Sequence, residues 1–256
     1  MSQYASTTRK TAWITGGGSG IGRELALELA THGWQVVVSG RTQEKLNEVC
    51  QAAPAGTVSA KACDVTDLDA MRNCAQDICK ENGQIDLAVF NAGVFEPFNG
   101  KQFDTATVMK TMNVNYAGAV HGIDAVLPGM REARNGHIAL VASVAGYRGM
   151  PLAAPYSASK AAMISLCESL KFDFDELGIT TTVVTPGFVK TPLTEKNEFP
   201  MPFLVDADVA ARIIREGLEA GKFEITFPKR LSYILKFMRM LPYALYFPLM
   251  RKGTGR

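Results

Sequence analysis

Short apolar segments rich in β-branched residues alternate with longer segments of helical periodicity along most of this chain. Six apolar segments have the length and composition of buried strands: Thr11–Thr15, Gln35–Ser39, Val58–Cys63, Leu87–Phe90, His137–Ala142 and Thr181–Thr185. Five intervening segments have helical spacing: Ile21–His32, Thr42–Ala52, Leu68–Glu81, Asp104–Arg131 and Tyr156–Leu177. Strands that alternate with helices over short connections form parallel sheets covered on both faces. The sequence therefore predicts an α/β fold built on a doubly wound parallel sheet.

A chain of 256 residues can bury the core of one such domain, and it contains no repeat or low-complexity linker. We expect residues 1–230 to form this domain. Proline and aromatic residues interrupt the alternation at about 188–207, where we expect a flap over the substrate. Residues 231–256 form an apolar and basic C-terminal tail.

Composition argues against several classes of protein. The five cysteines are scattered without a CxxC pair and the three histidines are far apart, so we expect no metal site and a reducing compartment. The first ten residues are polar and lack the apolar core of a signal peptide. These features predict a cytoplasmic protein.

The C-terminal tail has an unusual charge pattern. After Glu224 the chain has seven basic residues and no acidic one, and Ser232, Lys236 and Arg239 are spaced to form a narrow polar and basic stripe on a helix that Pro242 should end. The uncharged segment that follows contains two prolines and is too short to span a bilayer. Two interpretations remain open: peripheral contact of residues 231–252 with an anionic membrane, or coverage of a neighbouring subunit or of the active-site mouth. The aromatic residues stand among aliphatic ones, which argues against nucleic-acid binding.

A glycine-rich segment, Thr15–Gly22, lies between the first predicted strand and the first predicted helix. Glycines permit a tight turn and a close backbone approach, and the helix N-terminus offers N–H groups to a pyrophosphate. The spacing differs by one residue from the usual GxGxxG pattern. The segment predicts dinucleotide binding in a Rossmann-type fold by these residues: Gly16, Gly18, Ser19, Gly20, Ile21 and Gly22.

The end of the second predicted strand indicates which dinucleotide is preferred. A fold that prefers NAD usually has an acidic residue there to accept the ribose hydroxyl. Residues 39–42 contain no acid, and Arg41 can bind a 2′-phosphate through its guanidinium. We therefore expect NADP(H), and NAD(H) is the less favoured alternative.

Tyr156 and Lys160 are four residues apart, which places them on one face of a helix. A neighbouring ammonium favours the phenolate and would lower the pKa of the tyrosine. Tyr156 would then be a usable proton donor and acceptor at neutral pH.

Six motifs occur in one order along the chain: Thr15–Gly22, Asp64–Val65, Asn91–Gly93, Asn115, Ser143 with Tyr156 and Lys160, and Pro186–Gly187. In that order they resemble the short-chain dehydrogenase/reductase family, from about Lys10 to Thr191. The resemblance implies a catalytic set of Asn115, Ser143, Tyr156 and Lys160. Asn113 is a competing candidate for the asparagine.

The same resemblance implies further contacts with the cofactor. In addition to the glycine-rich segment and Arg41, the implied cofactor-binding residues are Asp64, Val65, Asn91, Ala92, Gly93, Tyr156, Lys160, Pro186, Gly187, Val189 and Thr191. Asp64 would bind the adenine, and Lys160 would bind the nicotinamide ribose.

The implied activity is hydride transfer between NADP(H) and a carbonyl or secondary alcohol. Apolar residues in the variable loops suggest a hydrophobic substrate: Phe95, Phe98, Tyr147, Met150, Leu152, Phe199, Met201 and Phe203. The family also implies a homodimer or homotetramer, assembled through the two long helices. An epimerase or dehydratase is less favoured, and the alternative from another class is a non-catalytic dinucleotide sensor or a membrane-associated scaffold.

Overall fold

A computed structural model of the chain describes residues 9–195 and 201–254. Seven strands form one parallel sheet in the order β3-β2-β1-β4-β5-β6-β9. These strands are β1 (Thr11–Thr15), β2 (Gln35–Gly40), β3 (Val58–Ala62), β4 (Ile85–Phe90), β5 (Gly136–Val141), β6 (Ile179–Pro186) and β9 (Glu224–Phe227). A separate pair of two-residue strands, β7 (Val189–Lys190) and β8 (Val205–Asp206), lies within the segment predicted as a flap.

Helices cover both faces of the sheet. They are α1 (Gly20–Thr31), α2 (Gln43–Ala52), α3 (Leu68–Asn82), α4 (Thr105–Met112), α5 (Gly118–Ala133), α6 (Ala154–Glu176), α7 (Ala207–Glu219), α8 (Lys229–Met240) and α9 (Tyr243–Thr254). Alternate residues of β1 enter different cores: Trp13 packs in the layer of α3, α5 and α6, whereas Ala12 and Ile14 pack in the layer of α1 and α7. The predicted doubly wound α/β fold is confirmed.

Strand order reverses between β1 and β4, both of which pair with parallel neighbours. In open α/β sheets a ligand binds at such a switch point, beyond the carboxyl ends of the strands. The glycine-rich segment follows β1, and Asn91–Gly93 follows β4. Both motifs therefore lie at this crevice.

The long helix predicted at Asp104–Arg131 is present but is not a continuous α-helix. A π-helical stretch, Asn113–Ala117, separates α4 from α5, and the backbone N–H of Gly118 donates to Asn113 O. A π-helical turn places an extra residue in the helix, so the side chains before and after it change direction. Asn115 lies in the middle of this stretch.

The elements that the sequence analysis does not predict include α7 and β9. Helical spacing in α7 is carried by Ala210, Ile214 and Leu218, all of which are buried against the sheet. That periodicity was the available signal.

In the C-terminal tail α8 ends before Pro242, as predicted, and α9 follows. Of the three residues predicted to form a polar and basic stripe on this helix, Ser232 and Lys236 face the body of the protein. Ser232 is completely buried, and Lys236 forms an ion pair with Glu224 of β9. In the part of the chain that the structure describes, no helix combines the length and apolarity needed to cross a membrane.

Candidate active site

The glycine-rich turn packs against the end of β4 with no space for side chains. A Cβ on Gly16 would lie 2.8 Å from Ala92 Cα, and one on Gly22 would lie 2.6 Å from Gly16 O. Gly16 also has φ of +65°, which favours glycine. Asn91 Nδ2 donates to Thr15 O at 3.1 Å and to Gly16 O at 3.2 Å. The turn and the end of β4 are therefore packed and hydrogen-bonded to each other, and backbone atoms rather than side chains line this part of the crevice.

Ser19 begins α1 as its N-cap and is exposed, and its side chain caps no helix N–H. The next residue, Gly20, has φ of +55°, and a Cβ there would be 3.1 Å from Thr191 Cγ2. The first turn of α1 and the segment after β7 thus border the same space. An uncapped helix N-terminus of this kind provides N–H donors for an anion.

Arg41 and Asp64 lie side by side because β2 and β3 are paired and Cys63 N donates to Gly40 O at 2.9 Å. Hydrogen bonds from Thr66 lower the pKa of Asp64, and the charge of Arg41 adds to this effect. Asp64 is therefore a carboxylate at neutral pH. Arg41 is exposed, and it forms no ion pair with the described residues.

Val65, by contrast, is buried and plays a packing role. Its side chain would contact a Cβ on Gly118 at 2.7 Å, and its carbonyl lies 2.9 Å from His121 Nδ1. These contacts join the end of β3 to the start of α5.

The exposed backbone of Gly93 is flanked by two of the predicted catalytic residues. A Cβ on Gly93 would lie 3.3 Å from Asn115 Oδ1 and 3.5 Å from Lys160 Nζ. Asn115 is completely buried, and its amide both accepts from Val94 N at 2.7 Å and donates to Val94 O at 3.1 Å. Asn113 is exposed, so the structure places Asn115, rather than its competitor, in the cleft.

Ser143 follows β5 and meets Tyr156 of α6 across the cleft. The hydroxyl of Ser143 accepts from Ala145 N at 3.1 Å and donates to Pro186 O at 3.4 Å. Burial raises the pKa of Tyr156, and its hydrogen bond with Ser143 acts in the opposite direction. The phenol is consequently protonated at neutral pH and can act as a proton donor.

Lys160 is 3% exposed, and its Nζ donates to Val141 O at 2.7 Å. Burial lowers the pKa of Lys160 to about 7. Its Nζ lies 5.6 Å from the centroid of the Tyr156 ring. The sequence predicts that Lys160 lowers the pKa of Tyr156. In the structure, burial instead raises the pKa of Tyr156, and Lys160 Nζ donates its hydrogen bond to the carbonyl of Val141.

Ser159 was missed in the sequence and connects two predicted residues. Its buried hydroxyl accepts from Asn115 Nδ2 at 3.0 Å and donates to Tyr156 O at 2.8 Å. Thr15 is a second such residue, since its hydroxyl accepts from the backbone N–H groups of Asn91 and Ala92. Ser159 and Thr15 both lie within motifs that the sequence analysis identifies. Their position in those motifs is the only sequence feature that could have indicated a role in the site.

The remaining predicted cofactor residues follow β6. Gly187 N donates to Phe227 O at 2.7 Å, and a Cβ on Gly187 would lie 2.9 Å from Leu231 Cδ2. Pro186 ends β6, and Val189 is buried in the core. These contacts fix the backbone beside Ser143 and leave the side chain of Val189 away from solvent.

The expected apolar substrate surface is present only in part. The ring of Phe95 stands edge-on to Tyr156, with 5.2 Å between the ring centroids. Phe98 N donates to Leu152 O at 2.8 Å, which joins the two variable loops. Met150 is partly buried in the second of these loops.

Tyr147 does not belong to this surface. It is buried, and its hydroxyl donates to Glu224 Oε1 at 2.8 Å and lies 2.8 Å from Thr185 Oγ1. Burial raises the pKa of Tyr147 to about 12. Of the flap residues, Met201 is partly buried and Phe203 is exposed, and Phe199 lies outside the described residues.

The C-terminal helices are fastened to the loop that separates Ser143 from Tyr156. Arg148 Nη1 donates to Met238 O and Leu241 O, each at 2.7 Å, at the end of α8. Its guanidinium lies 4.7 Å from the ring centroid of Tyr243 and 3.9 Å from that of Tyr246. The tail therefore contacts the rim of the cleft.

The sequence and the fold both match known proteins. The family described as short chain dehydrogenase matches residues 10–200. A protein of Myxococcus xanthus named "Uncharacterized oxidoreductase" is 38% identical over 244 residues, which cover 94% of this chain and 96% of the relative. Levodione reductase superposes with a TM-score of 0.82 and 25% identity, covering 88% of this chain and 98% of the reductase. A variant of actinorhodin polyketide ketoreductase with NADPH superposes with a TM-score of 0.77 and 25% identity, covering 86% and 95% of the two chains.

Proposed function

The chain belongs to the short-chain dehydrogenase/reductase family, and we propose that this oxidoreductase interconverts a hydrophobic carbonyl compound and its alcohol with NADP(H). The proposal rests on one observation above all. Tyr156 forms a hydrogen bond with Ser143, and its ring centroid lies 5.6 Å from Lys160 Nζ. That Nζ in turn lies beside the exposed backbone of Gly93. Bound NADPH would supply hydride to the carbonyl carbon in that cleft.

The backbone surface of the cleft fits a dinucleotide. Gly16 and Gly22 are packed so closely that only backbone borders the opening, and the exposed N-cap Ser19 leads into α1. A pyrophosphate is bound by such backbone N–H groups. At the other end of the cleft, Lys160, which lies beside Gly93, would hold the nicotinamide ribose.

Proton transfer is assigned to Tyr156. Its phenol and the Ser143 hydroxyl donate hydrogen bonds to the carbonyl oxygen, which gains negative charge during reduction. Tyr156 gives its proton to that oxygen and is left as a phenolate that must be protonated again before the next turnover. With a pKa of about 7, Lys160 exchanges its own proton readily at neutral pH.

Replacement of Tyr156 by Phe tests this assignment. We expect the rate of NADPH oxidation with a panel of apolar ketones to fall about 10²- to 10⁴-fold, because the proton donor is removed. The dissociation constant for NADPH should change far less than the turnover rate. Tyr233→Phe is the matched control, since Tyr233 is exposed on α8. Equal turnover in Tyr156→Phe and the control would refute the proposed acid, and binding of NADPH without turnover of any ketone by the wild type would favour a dinucleotide sensor.

Preference for NADP(H) is assigned to Arg41. The residue is exposed at the end of β2, and residues 39–42 contain no carboxylate that would repel a phosphate. A hydrogen bond to a charged group contributes about 1.5–3 kcal/mol, so Arg41→Met should weaken NADPH binding about 10- to 100-fold and leave NADH binding unchanged. Binding is measured by fluorescence titration, with the exposed Arg212 of α7 replaced by Met as the control. A parallel loss of affinity for both cofactors would contradict the assignment.

A further inference from the structure

Large exposed apolar side chains are concentrated on the C-terminal helices in the part of the chain that the structure describes. Of the residues that the structure describes, fourteen large hydrophobic side chains are exposed, and eight of them fall between Tyr233 and Leu249. On α8 they are Tyr233, Ile234, Phe237 and Met240, which share one face, and on α9 they are Tyr243, Leu245, Phe247 and Leu249. Large exposed apolar side chains concentrated on two consecutive helices indicate an interaction site.

This surface is held in place on the body of the protein. Leu231 and Ser232 of α8 are buried, and Lys236 pairs with Glu224. Tyr246 of α9 is buried, and its hydroxyl donates to Gly149 O at 2.6 Å. The buried contacts hold both helices on the body of the protein, and the exposed apolar side chains of α8 and α9 remain accessible to another partner.

The charges around the apolar faces identify that partner. Lys229, Arg230, Arg239, Arg251 and Lys252 are exposed, and none forms an ion pair with an acidic residue that the structure describes. The segment contains no acidic residue of its own after Glu224. A second copy of the chain placed symmetrically on this face would bring the same five bases together, which is unfavourable. An anionic lipid surface instead offers both an apolar interior and negative headgroups.

We propose that α8 and α9 bind peripherally to membranes that contain anionic lipid. The exposed apolar side chains enter the headgroup–acyl boundary, with the tyrosines at the polar interface. The five bases contact the lipid phosphates. Because Arg148 fastens the end of α8 to the loop before Tyr156, binding through these helices places the rim of the cleft at the lipid surface.

Vesicle flotation with the full chain tests the proposal. The wild type should float with vesicles of phosphatidylcholine and phosphatidylglycerol, and should float less with phosphatidylcholine alone. Salt at about 1 M, where the Debye length is roughly 3 Å, should weaken the binding. Failure to float with the anionic vesicles at low salt would overturn the proposal.

Two sets of variants separate the contributions. Replacing all five bases by Gln should lower the affinity for anionic vesicles at least about 100-fold, since each base near the surface contributes roughly fivefold. Arg131→Gln with Lys222→Gln is the control, because both residues are exposed outside the tail. Phe237→Gln with Phe247→Gln should reduce flotation with both kinds of vesicle, and NADPH binding of every variant reports that the fold is retained.

A second copy of the chain is the alternative occupant. In lipid-free buffer, sedimentation velocity should give the same oligomeric state for the wild type and for Phe237→Gln with Phe247→Gln. If these substitutions instead dissociate the oligomer, and the wild type does not float, the apolar face is a subunit interface and the membrane proposal is wrong.

Discussion

Two cations border the loop that leads into α6, and they are used in different ways. Lys160 lies at the inner end of the cleft, is 3% exposed, and donates to one carbonyl, Val141 O. Arg148 lies at the rim, is partly exposed, and donates to carbonyls at the end of α8 while its guanidinium lies over two tyrosine rings. Neither forms an ion pair with a described carboxylate.

The difference follows from the chemistry of the two side chains. An ammonium that is buried away from water loses its proton more easily, and burial lowers the pKa of Lys160 to about 7. A guanidinium keeps its charge, offers several donors in one plane and stacks on aromatic rings. The inner cation is therefore suited to proton exchange, and the outer one is suited to holding two segments together.

Exchange of the inner cation should have the largest effect. Lys160→Met and Lys160→Arg should both lower turnover about 10²- to 10⁴-fold, because neither side chain can exchange a proton at neutral pH. Lys171→Met, on the same helix but in a surface ion pair with Asp175, is the control. Turnover near the wild-type level in Lys160→Arg would show that charge alone is sufficient and would remove the distinction between the two cations.

Exchange of the outer cation should have an intermediate effect. Arg148→Met removes charged hydrogen bonds and ring contacts and should lower the free energy of unfolding by about 2–3 kcal/mol, measured by denaturant titration. It should also raise KM more than it lowers kcat, and should expose the α8–α9 junction to proteases. Arg148→Lys should restore only part of the stability, since an ammonium cannot both donate several coplanar hydrogen bonds and stack on the tyrosine rings as a guanidinium does. The control is Arg131→Met, and full stability in Arg148→Met would mean that the tail is held by its other contacts.

The smallest effect, expressed per unit of pH, is a change in how the free energy of unfolding depends on pH. Lys160 has a pKa of about 7 in the folded protein and an ordinary value of 10.5. Between these values the unfolded chain binds the proton and the folded protein does not, so the free energy of unfolding rises with pH by up to about 1.4 kcal/mol per unit. Below pH 7 both states are protonated and the slope disappears.

Denaturation of the wild type and of Lys160→Met at several pH values measures this slope. The free energy of unfolding of the wild type should rise relative to that of the variant from about pH 7 to about pH 9. Parallel curves would show that Lys160 stays charged in the folded protein, as Arg148 does. Subtracting the free energy of unfolding of the variant from that of the wild type at each pH removes the contribution of all other titrating groups, which the two proteins share.

Most strands and helices were predictable because their periodicity is local. The apolar run Gln35–Ser39 can only be buried on both faces, and β2 is found there. The π-helical stretch around Asn115 was not predictable, because its cause is packing: Asn115 satisfies the backbone of Val94, and Gly118 packs against Val65. Val94 and Val65 lie outside the helix, so the helix sequence alone does not reveal the contacts that produce the π-helical stretch.

The candidate site divides in the same way. Ser143, Tyr156 and Lys160 were recognisable as a motif in order along the chain, and their catalytic roles stay a prediction. Tyr147 was predicted to face the substrate, whereas its hydroxyl is bound by Thr185 and Glu224 from two other strands. The predicted preference for NADP(H) likewise stays a prediction.

The sequence by itself determined the α/β class, the family and the glycine-rich turn, since each depends on residue types at short, fixed spacing. Only the tertiary structure decided where the tail lies, which asparagine enters the cleft, and which of two nearby cations is buried deeply enough to have its pKa lowered. Those outcomes depend on contacts between segments distant in sequence, such as Arg148 with Leu241 and Asn115 with Ser159. Burial and hydrogen bonding arise from such contacts, and together they set whether a side chain holds the fold or can exchange a proton.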